Sequence, residues 1–332
     1  MVTVSGILRR SWRSNISDPR TQLLIAALTF GLVAATLPPF PTTRNGINVL
    51  VVMDITGSMN TRDYQVAGRP VSRLDIAKAA LKQMIDGLPC PSRLGLALFS
   101  ERVPFLLFEP IDVCRNYGAI AGAVDAVNWR EAWDGDSRIA FGLLRSIDMA
   151  IDLRSDLVFI TDGQEAPPLP LSGGPAFDGE KGAVKGVIIG AGGYALSPIP
   201  KFDDRGNEIG FWGVDDVPHE NHFGPPPPDA ASRPGYEPRN APFGAVAAKG
   251  TEHLSSVREP YLRSLADKTG LIYAHMDHAG GLGDALIPVA TRHPSEGFID
   301  WRWIPGVLAM AALVVLYGIF PFLDRQLRWK MK

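Results

Sequence analysis

The sequence predicts an α/β fold with a mainly parallel sheet, and two observations lead to this prediction. Short apolar runs rich in β-branched residues lie at 47–53, 156–160 and 186–190, which is typical of strands buried on both faces of a sheet. Segments with helical periodicity separate these runs. Alternation of strands and helices indicates a parallel sheet, because each connection crosses back over the sheet.

The remaining elements follow from local signals. A helix is predicted to begin after Ser72, because Ser72 and Asp75 resemble a capping box and the apolar residues that follow share one face. Two strands joined by a tight turn at 100–102 form a predicted hairpin, which adds one antiparallel edge strand. The predicted bounds are, in chain order, a linker at 41–46, hairpin strands at 93–99 and 103–108, helices at 117–128, 139–151 and 260–269, and a last strand at 271–274.

Two uncharged segments, at 21–40 and 304–323, are predicted to cross a membrane. An apolar helix needs about 20 residues to span the hydrocarbon core, and each segment is just long enough. Hydrophobic residues make up 46% of the 332-residue chain, which is ordinary for a protein with two such spans. Two alternatives stay open: a cleaved signal peptide in place of the first span, with Val33 and Ala35 before the cleavage site, and a buried core helix in place of the second.

Basic residues flank the outer ends of both segments and predict the orientation. Since cytoplasmic flanks of membrane spans are rich in Lys and Arg, the tails at 1–20 and 324–332 are expected in the cytoplasm. The domain at 47–290 is then expected in the periplasm, held at a bacterial inner membrane. The flanking residues are Arg9, Arg10, Arg13, Arg20, Arg325, Arg328, Lys330 and Lys332.

A long insertion at 198–258 interrupts the alternating pattern and contains the proline run GPPPPD. Loops of this length in compact domains are usually functional or disordered. The two cysteines, Cys90 and Cys114, flank the predicted hairpin symmetrically. They form either a disulfide, which an oxidising compartment permits, or two buried free thiols.

The composition argues against several classes of protein. The net charge of −2 indicates no nucleic-acid partner. The sequence contains no G-x-S-x-G, Walker lysine or G-x-G-x-x-G motif in the context that would indicate an enzyme. Four histidines, in two pairs, are interpreted as solvated rather than metal-binding, and the DRGN segment at 204–207 as a hairpin turn. The histidines are His219, His222, His275 and His278.

Five oxygen-bearing side chains are candidates for a cation site. Asp54, Thr56 and Ser58 lie on one loop directly after the first strand, and Asp162 follows the strand at 156–160. Ser137 immediately precedes the helix at 139–151. Ligands of open α/β sheets bind beyond the carboxyl ends of the strands, and hard cations prefer oxygen ligands. The sequence therefore predicts a divalent-cation site at this edge.

The segments VLVVMDITGSMN, GDS and LVFITDGQE resemble the three parts of the metal-ion-dependent adhesion site of von Willebrand factor A domains, whose usual pattern is D-x-S-x-S, a Thr and an Asp. Thr56 and Ser137 depart from that pattern but keep a hydroxyl. The resemblance covers 47–195 and 259–276 and implies a Rossmann-like fold. It also implies direct coordination by Thr56, Ser58 and Ser137, with Asp54 and Asp162 acting largely through water.

The same resemblance implies a binding module rather than an enzyme. Mg²⁺ is the first candidate ion, with Ca²⁺ and Mn²⁺ as alternatives, and one position on the ion stays open for a carboxylate of a periplasmic or membrane partner. The two-helix layout is similar to aerotolerance-type membrane proteins and to accessory proteins implicated in calcium insertion into periplasmic methanol dehydrogenase. The long insertion favours the accessory role, since it suggests a dedicated partner.

Two other functions remain as alternatives. A phosphohydrolase of the haloacid dehalogenase type also places an Asp after the first strand, but it needs a second acid where this chain has Thr56. A metal-free structural scaffold of the aerotolerance type would keep the loop without the ion.

Overall fold

The computed structural model describes residues 18–132, 136–169, 174–217, 232, 251–278, 280–323 and 326. The chain divides into two compact units. One is formed by Met1–Thr43 with Glu296–Lys332, and the other by Arg44–Ser295.

The first unit contains helix α1, Pro19–Thr36, which is capped by the Asp18 side chain. The sequence predicted a segment reaching residue 40, but the helix ends at Thr36. Two consecutive prolines, Pro38 and Pro39, explain the difference, because proline lacks an N–H and disfavours helical backbone in the residue before it. Leu37 is accordingly extended.

The C-terminal helix of this unit is named α7, because five helices of the other unit precede it in chain order. It begins as an α-helix over Trp303–Val314 and continues through a π-helical turn, Val315–Ile319. Helix α1 and the helical stretch Trp303–Leu323 are both long and apolar enough to cross a membrane, with mean hydropathies of 1.2 and 2.3. Tyr317 is 69% exposed, and many neighbouring apolar side chains are exposed too, which argues against a buried core helix. Of the basic residues used to predict orientation, only Arg20 lies inside the described residues.

A seven-stranded sheet forms the centre of the second unit. Six strands follow the order β12-β7-β6-β1-β4-β5, and β13 pairs with β1. All pairings along this path are parallel except that of β5 with β4, so β5 is the predicted antiparallel edge strand. The strands are β1 Phe40–Asp54, β4 Arg93–Ser100, β5 Val103–Asp112, β6 Asp156–Thr161, β7 Gly186–Ala191, β12 Ile272–Met276 and β13 Arg292–Ile299.

Two predictions about these strands were wrong. The predicted linker at 41–46 belongs to β1, and the strand at 271–274 is followed by β13. Strand β13 is polar and contains Pro294, so its sequence has no apolar alternation. It pairs with a strand more than 200 residues earlier, and local sequence signals do not record such a partner.

Helices cover both faces of the sheet. Alternate residues of β1 point to opposite sides: Val51 belongs to one apolar cluster and Val52 to the other. Helix α3 begins at Val113, where Asp112 caps it by accepting a hydrogen bond from the Arg115 N–H. Non-helical backbone at Asn116 kinks it, so the part after the kink starts at the predicted Tyr117. The helices of this unit are α2 Arg73–Gly87, α3 Val113–Ala126, α4 Ile139–Asp152, α5 Glu259–Thr269 and α6 Leu282–Leu286.

Short antiparallel strand pairs complete the unit. One hairpin, not predicted, precedes α2, and another forms at the predicted DRGN turn, where Asp203 accepts hydrogen bonds from Arg205 and Asn207. A third pair, formed by β8 and β11, joins the two ends of the insertion. These strands are β2 Tyr64–Val66, β3 Arg69–Val71, β8 Ser197–Pro198, β9 Pro200–Phe202, β10 Glu208–Phe211 and β11 Leu254–Ser255.

Cys90 and Cys114 form a disulfide, with their Cα atoms 6.1 Å apart and 24 positions apart in sequence. Of the two alternatives left by the sequence, the structure has the disulfide. It connects the start of β4 to helix α3, so it fastens both ends of the β4–β5 hairpin.

Candidate metal centre

Asp54, the last residue of β1, is fully buried at the centre of the candidate site. Its Oδ1 accepts hydrogen bonds from the Thr56 backbone N–H at 2.9 Å and the Thr56 hydroxyl at 2.6 Å. Its Oδ2 accepts one from the Thr161 hydroxyl at 2.6 Å. Since a carboxylate oxygen accepts about two hydrogen bonds, Oδ2 retains room for one more partner, such as a water.

The environment of Asp54 disfavours its negative charge. Burial, followed by the charge of Asp162, raises the pKa of Asp54 to about 7, although hydrogen bonds from Thr161 and Thr56 act to lower it. The hydrogen bonds from the protein therefore compensate the negative charge of ionised Asp54 only in part. A cation beside it would supply the missing positive charge.

Asp162 follows β6 and is also fully buried. Its Oδ2 accepts hydrogen bonds from Arg73 Nη1 at 2.7 Å and from the Ser255 hydroxyl at 3.0 Å. Its Oδ1 accepts one from the Gln164 N–H at 2.9 Å. As with Asp54, one carboxylate oxygen keeps capacity for a further hydrogen bond.

Arg73 is the main component of the site that sequence reasoning missed. It is completely buried, pairs with Asp162, and also binds Asp63 through Nη2 at 2.6 Å and Nε at 3.0 Å. Its Nη1 donates to the Ser255 hydroxyl at 2.6 Å. One sequence signal could have found it: an arginine at the first position of a helix opposes the helix dipole and needs another reason to be there.

Ser137 is fixed by backbone hydrogen bonds to the loop that follows Asp162. Its N–H donates to the Ala166 carbonyl at 2.7 Å, and the Ala166 N–H donates back at 2.8 Å. Ser137 is 3% exposed, and its Oγ has no hydrogen-bond partner among the described residues. Gly135, the first residue of the GDS motif, lies outside the described residues.

The three hydroxyl residues line one cavity of about 430 Å³ at the carboxyl ends of the strands. Thr56 and Ser58 come from the loop after β1, which continues as a short 3-10 helix, Gly57–Asn60, and Ser137 comes from the loop before α4. Asp54 and Asp162 are hydrogen-bonded to Thr56 and Gln164, which also line the cavity. The structure therefore brings all five predicted residues together.

This arrangement fits a hard divalent cation. The unpartnered Ser137 oxygen is buried, and such an atom normally has a partner. Thr56 and Ser58 add hydroxyl oxygens to the same cavity, and the carboxylates of Asp54 and Asp162 lie close to it. Mg²⁺ and Ca²⁺ prefer such a set of oxygen ligands.

The histidines were weaker candidates for metal ligands. Across the described ranges, no group of three or more His, Cys, Asp or Glu residues could hold a metal. His275 contacts Asp277 at 2.7 Å and the Gly192 carbonyl at 2.8 Å. His219 and His222 lie outside the described residues.

Residues 49–164, which contain all five site residues and end just beyond Asp162, match the von Willebrand factor type A domain family. The match covers about a third of the chain, so it identifies this segment, and not the whole chain, as similar to von Willebrand factor type A domains. The parallel sheet with one antiparallel edge strand and helices on both faces is the fold that the resemblance implied.

The chain is similar to several known proteins. It is 30% identical over 148 residues to a UPF0353 protein of Nocardia farcinica. The aligned region makes up 44% of this chain and 39% of that relative. The chain thus spans about two fifths of that relative's length. An aerotolerance-related membrane protein of Bacteroides fragilis is 16% identical, with a TM-score of 0.45, 73% of this chain covered and 98% of that one. BatB of Bacteroides thetaiotaomicron is 16% identical, with a TM-score of 0.43, 70% of this chain covered and 91% of that one.

Proposed function

We propose that the von Willebrand factor type A domain binds a divalent cation, Mg²⁺ first, and presents it to a carboxylate of a partner protein. Thr56, Ser58 and Ser137 would hold the ion directly, and Asp54 and Asp162 would act through water. When bound, the ion supplies a positive centre with an open position for an anionic ligand. Asp54 orients Thr56 by accepting hydrogen bonds from its N–H and its hydroxyl, and Asp162 fixes the loop after β6 by accepting one from the Gln164 N–H.

The unpartnered hydroxyl of Ser137 is the observation that carries this proposal. Leaving a buried polar atom without a partner costs about 1–3 kcal/mol. Ser137 shares its cavity with Thr56 and Ser58, so one cation would satisfy it together with them.

Titration of the detergent-solubilised full chain with Mg²⁺, Mn²⁺ and Ca²⁺ tests the proposal. We expect one site per chain, with binding heat that Ser137→Ala weakens because an oxygen ligand is lost. The absence of binding heat with all three ions would favour the metal-free scaffold instead.

The proposal does not make the domain an enzyme. In a phosphohydrolase, the Asp after the first strand attacks the substrate. Asp54 is fully buried, and both of its oxygens bond to Thr56 and Thr161. This environment supports a structural and electrostatic role for Asp54. The accessory role toward a periplasmic dehydrogenase, implied by the resemblance, stays a prediction, as does the aerotolerance-type role.

We further propose that α1 and α7 anchor the domain at a membrane, with the domain on the exterior side and both termini in the cytoplasm. Two observations support this proposal. The helices are long and apolar enough to span, and the Cys90–Cys114 disulfide is typical of an oxidising compartment.

Protease treatment of spheroplasts and of inverted membrane vesicles tests this topology. We expect cleavage of the domain in spheroplasts and protection in inverted vesicles, because only the former expose the exterior face. The intact mass of the protein should include residues 1–35, because the alternative cleavage site follows Ala35. A mass lacking them would establish a cleaved signal peptide, and the reverse pattern of protection would contradict the proposed orientation.

A further inference from the structure

The C-terminal end of the long insertion at 198–258 packs directly on the loop that carries Asp162. The Arg258 N–H donates a hydrogen bond to the Asp162 carbonyl at 2.8 Å. The Gln164 side chain, on the same loop, donates to the Glu252 carbonyl at 2.9 Å. Strand β11 pairs with β8, so both ends of the insertion meet at this place. One loop of the candidate metal centre therefore contacts a segment that lies outside the matched family region.

Ser255 of β11 contacts the carboxylate of Asp162 itself. It is completely buried, and its hydroxyl donates to Asp162 Oδ2 at 3.0 Å while accepting from Arg73 Nη1 at 2.6 Å. A hydroxyl has one proton to donate, and a guanidinium accepts no hydrogen bond. Arg73 therefore leaves the Ser255 proton for Asp162. Arg73 Nη2 also binds the Ser255 carbonyl at 3.2 Å, which fixes the position of this residue.

These two donors decide which oxygen of Asp162 stays available. Oδ2 accepts hydrogen bonds from both Arg73 and Ser255, which fills the capacity of about two that a carboxylate oxygen has. Oδ1 accepts one hydrogen bond within the described part of the chain, from the Gln164 N–H at 2.9 Å. The remaining capacity for a water on an ion is therefore on Oδ1, and the orientation of the carboxylate determines where it points.

The positive charge of Arg73 beside a cation site needs compensation, and Asp63 supplies it. The Asp63 carboxylate accepts from Arg73 Nε at 3.0 Å and from Nη2 at 2.6 Å, and the Gly193 N–H holds the same carboxylate at 2.8 Å. Two carboxylates and one guanidinium leave one negative charge in excess. Asp162 can thus be held by an arginine while the local charge still favours a cation.

We propose that Ser255, which the insertion supplies, is a positioning residue for the cation site: it orients the carboxylate of Asp162 so that Oδ1 accepts from water on the ion. This inference rests on the proposed cation site. It makes the C-terminal end of the insertion a part of that site. Because coupling between two binding events is reciprocal, an ion that engages Asp162 also stabilises residues 252–258 on the loop.

The affinity for Mn²⁺ tests this role, measured on the full chain in detergent from the paramagnetic resonance signal of free Mn²⁺. We expect Ser255→Ala to weaken Mn²⁺ binding by about ten-fold, the lower end of the effect of losing an outer-shell partner. Ser256→Ala is the matched control, because Ser256 is the next residue, carries the same hydroxyl and is also buried. It should bind Mn²⁺ like the unmodified protein.

Amide hydrogen exchange of residues 252–258 provides a second readout, which a merely structural role of Ser255 would not change. We expect Mg²⁺ to slow exchange in this segment of the unmodified protein, and to slow it less in Ser255→Ala saturated with Mg²⁺. Equal Mn²⁺ affinities of Ser255→Ala and Ser256→Ala, or exchange that does not respond to Mg²⁺ in the unmodified protein although the ion binds, would overturn this inference alone. Failure of the unmodified protein to bind either ion would overturn the cation site and the inference together.

Discussion

Replacing Asp54 by Asn is expected to weaken Mg²⁺ binding by about 10–100-fold while the domain stays folded. The substitution removes a negative charge directly behind Thr56 and Ser58. The fold should tolerate it because an amide oxygen can still accept from the Thr56 N–H and hydroxyl, and the Thr161 hydroxyl can turn to accept from the amide nitrogen. Burial already disfavours the charge at this position, as the raised pKa of Asp54 shows.

Asp156→Asn is the matched control for this experiment. Asp156 is also a buried carboxylate, but it begins β6, whereas the site lies beyond the end of that strand, about 16 Å away. It binds the Thr291 N–H at 2.5 Å. Calorimetric titration should show Mg²⁺ affinity within about two-fold of the unmodified protein for Asp156→Asn. Equal losses in both variants would mean that general destabilisation, rather than the site, causes the effect.

The parts of the structure that were predictable from the sequence are those with a local signal. Strands β6 and β7 are buried along their whole length and have apolar sequences to match. Because β1 and β6 are parallel neighbours, with Met53 beside Ile160, residues that follow both strands meet at one edge. The positions of Asp54 and Asp162 follow from that geometry. Ser137 was a candidate because it precedes a predicted helix, and its loop is held by backbone hydrogen bonds to Glu101, directly after β4, and to Ala166.

The parts that were not predictable depend on partners far apart in sequence. Arg73 meets Asp162 across 89 positions and Ser255 across 182, and nothing near Arg73 indicates either contact. Lys201 and Trp212 are a second example. The turn of the β9–β10 hairpin was recognisable in the sequence, but the position of these two residues beside the cavity was not. Strand β13 has a polar sequence and exists through its pairing with β1. Long-range hydrogen bonds and ion pairs, rather than apolar periodicity, specify these features.

Arg73→Met is expected to lower the free energy of unfolding by about 3–5 kcal/mol, the largest stability effect expected in this domain. Arg73 is buried between Asp63 and Asp162, whose side chains are 7% and 0% exposed. Without the guanidinium, two carboxylates remain in a low-dielectric interior with no cation between them. Urea titration of the full chain in detergent, followed by circular dichroism, measures the loss.

Three companion variants separate lost charge compensation from lost packing. Arg62→Met removes a neighbouring arginine whose pair with Glu208 is 44% and 33% exposed, and it should cost less than about 1 kcal/mol. Arg73→Lys keeps the charge but cannot bind both carboxylates as a planar fork, so an intermediate loss is expected even if Arg73→Met fails to fold. Adding Asp162→Asn to Arg73→Met should restore part of the stability, since one uncompensated charge is removed. If the double variant is no more stable than Arg73→Met, the arginine stabilises the domain by filling space rather than by holding the carboxylate of Asp162 in place.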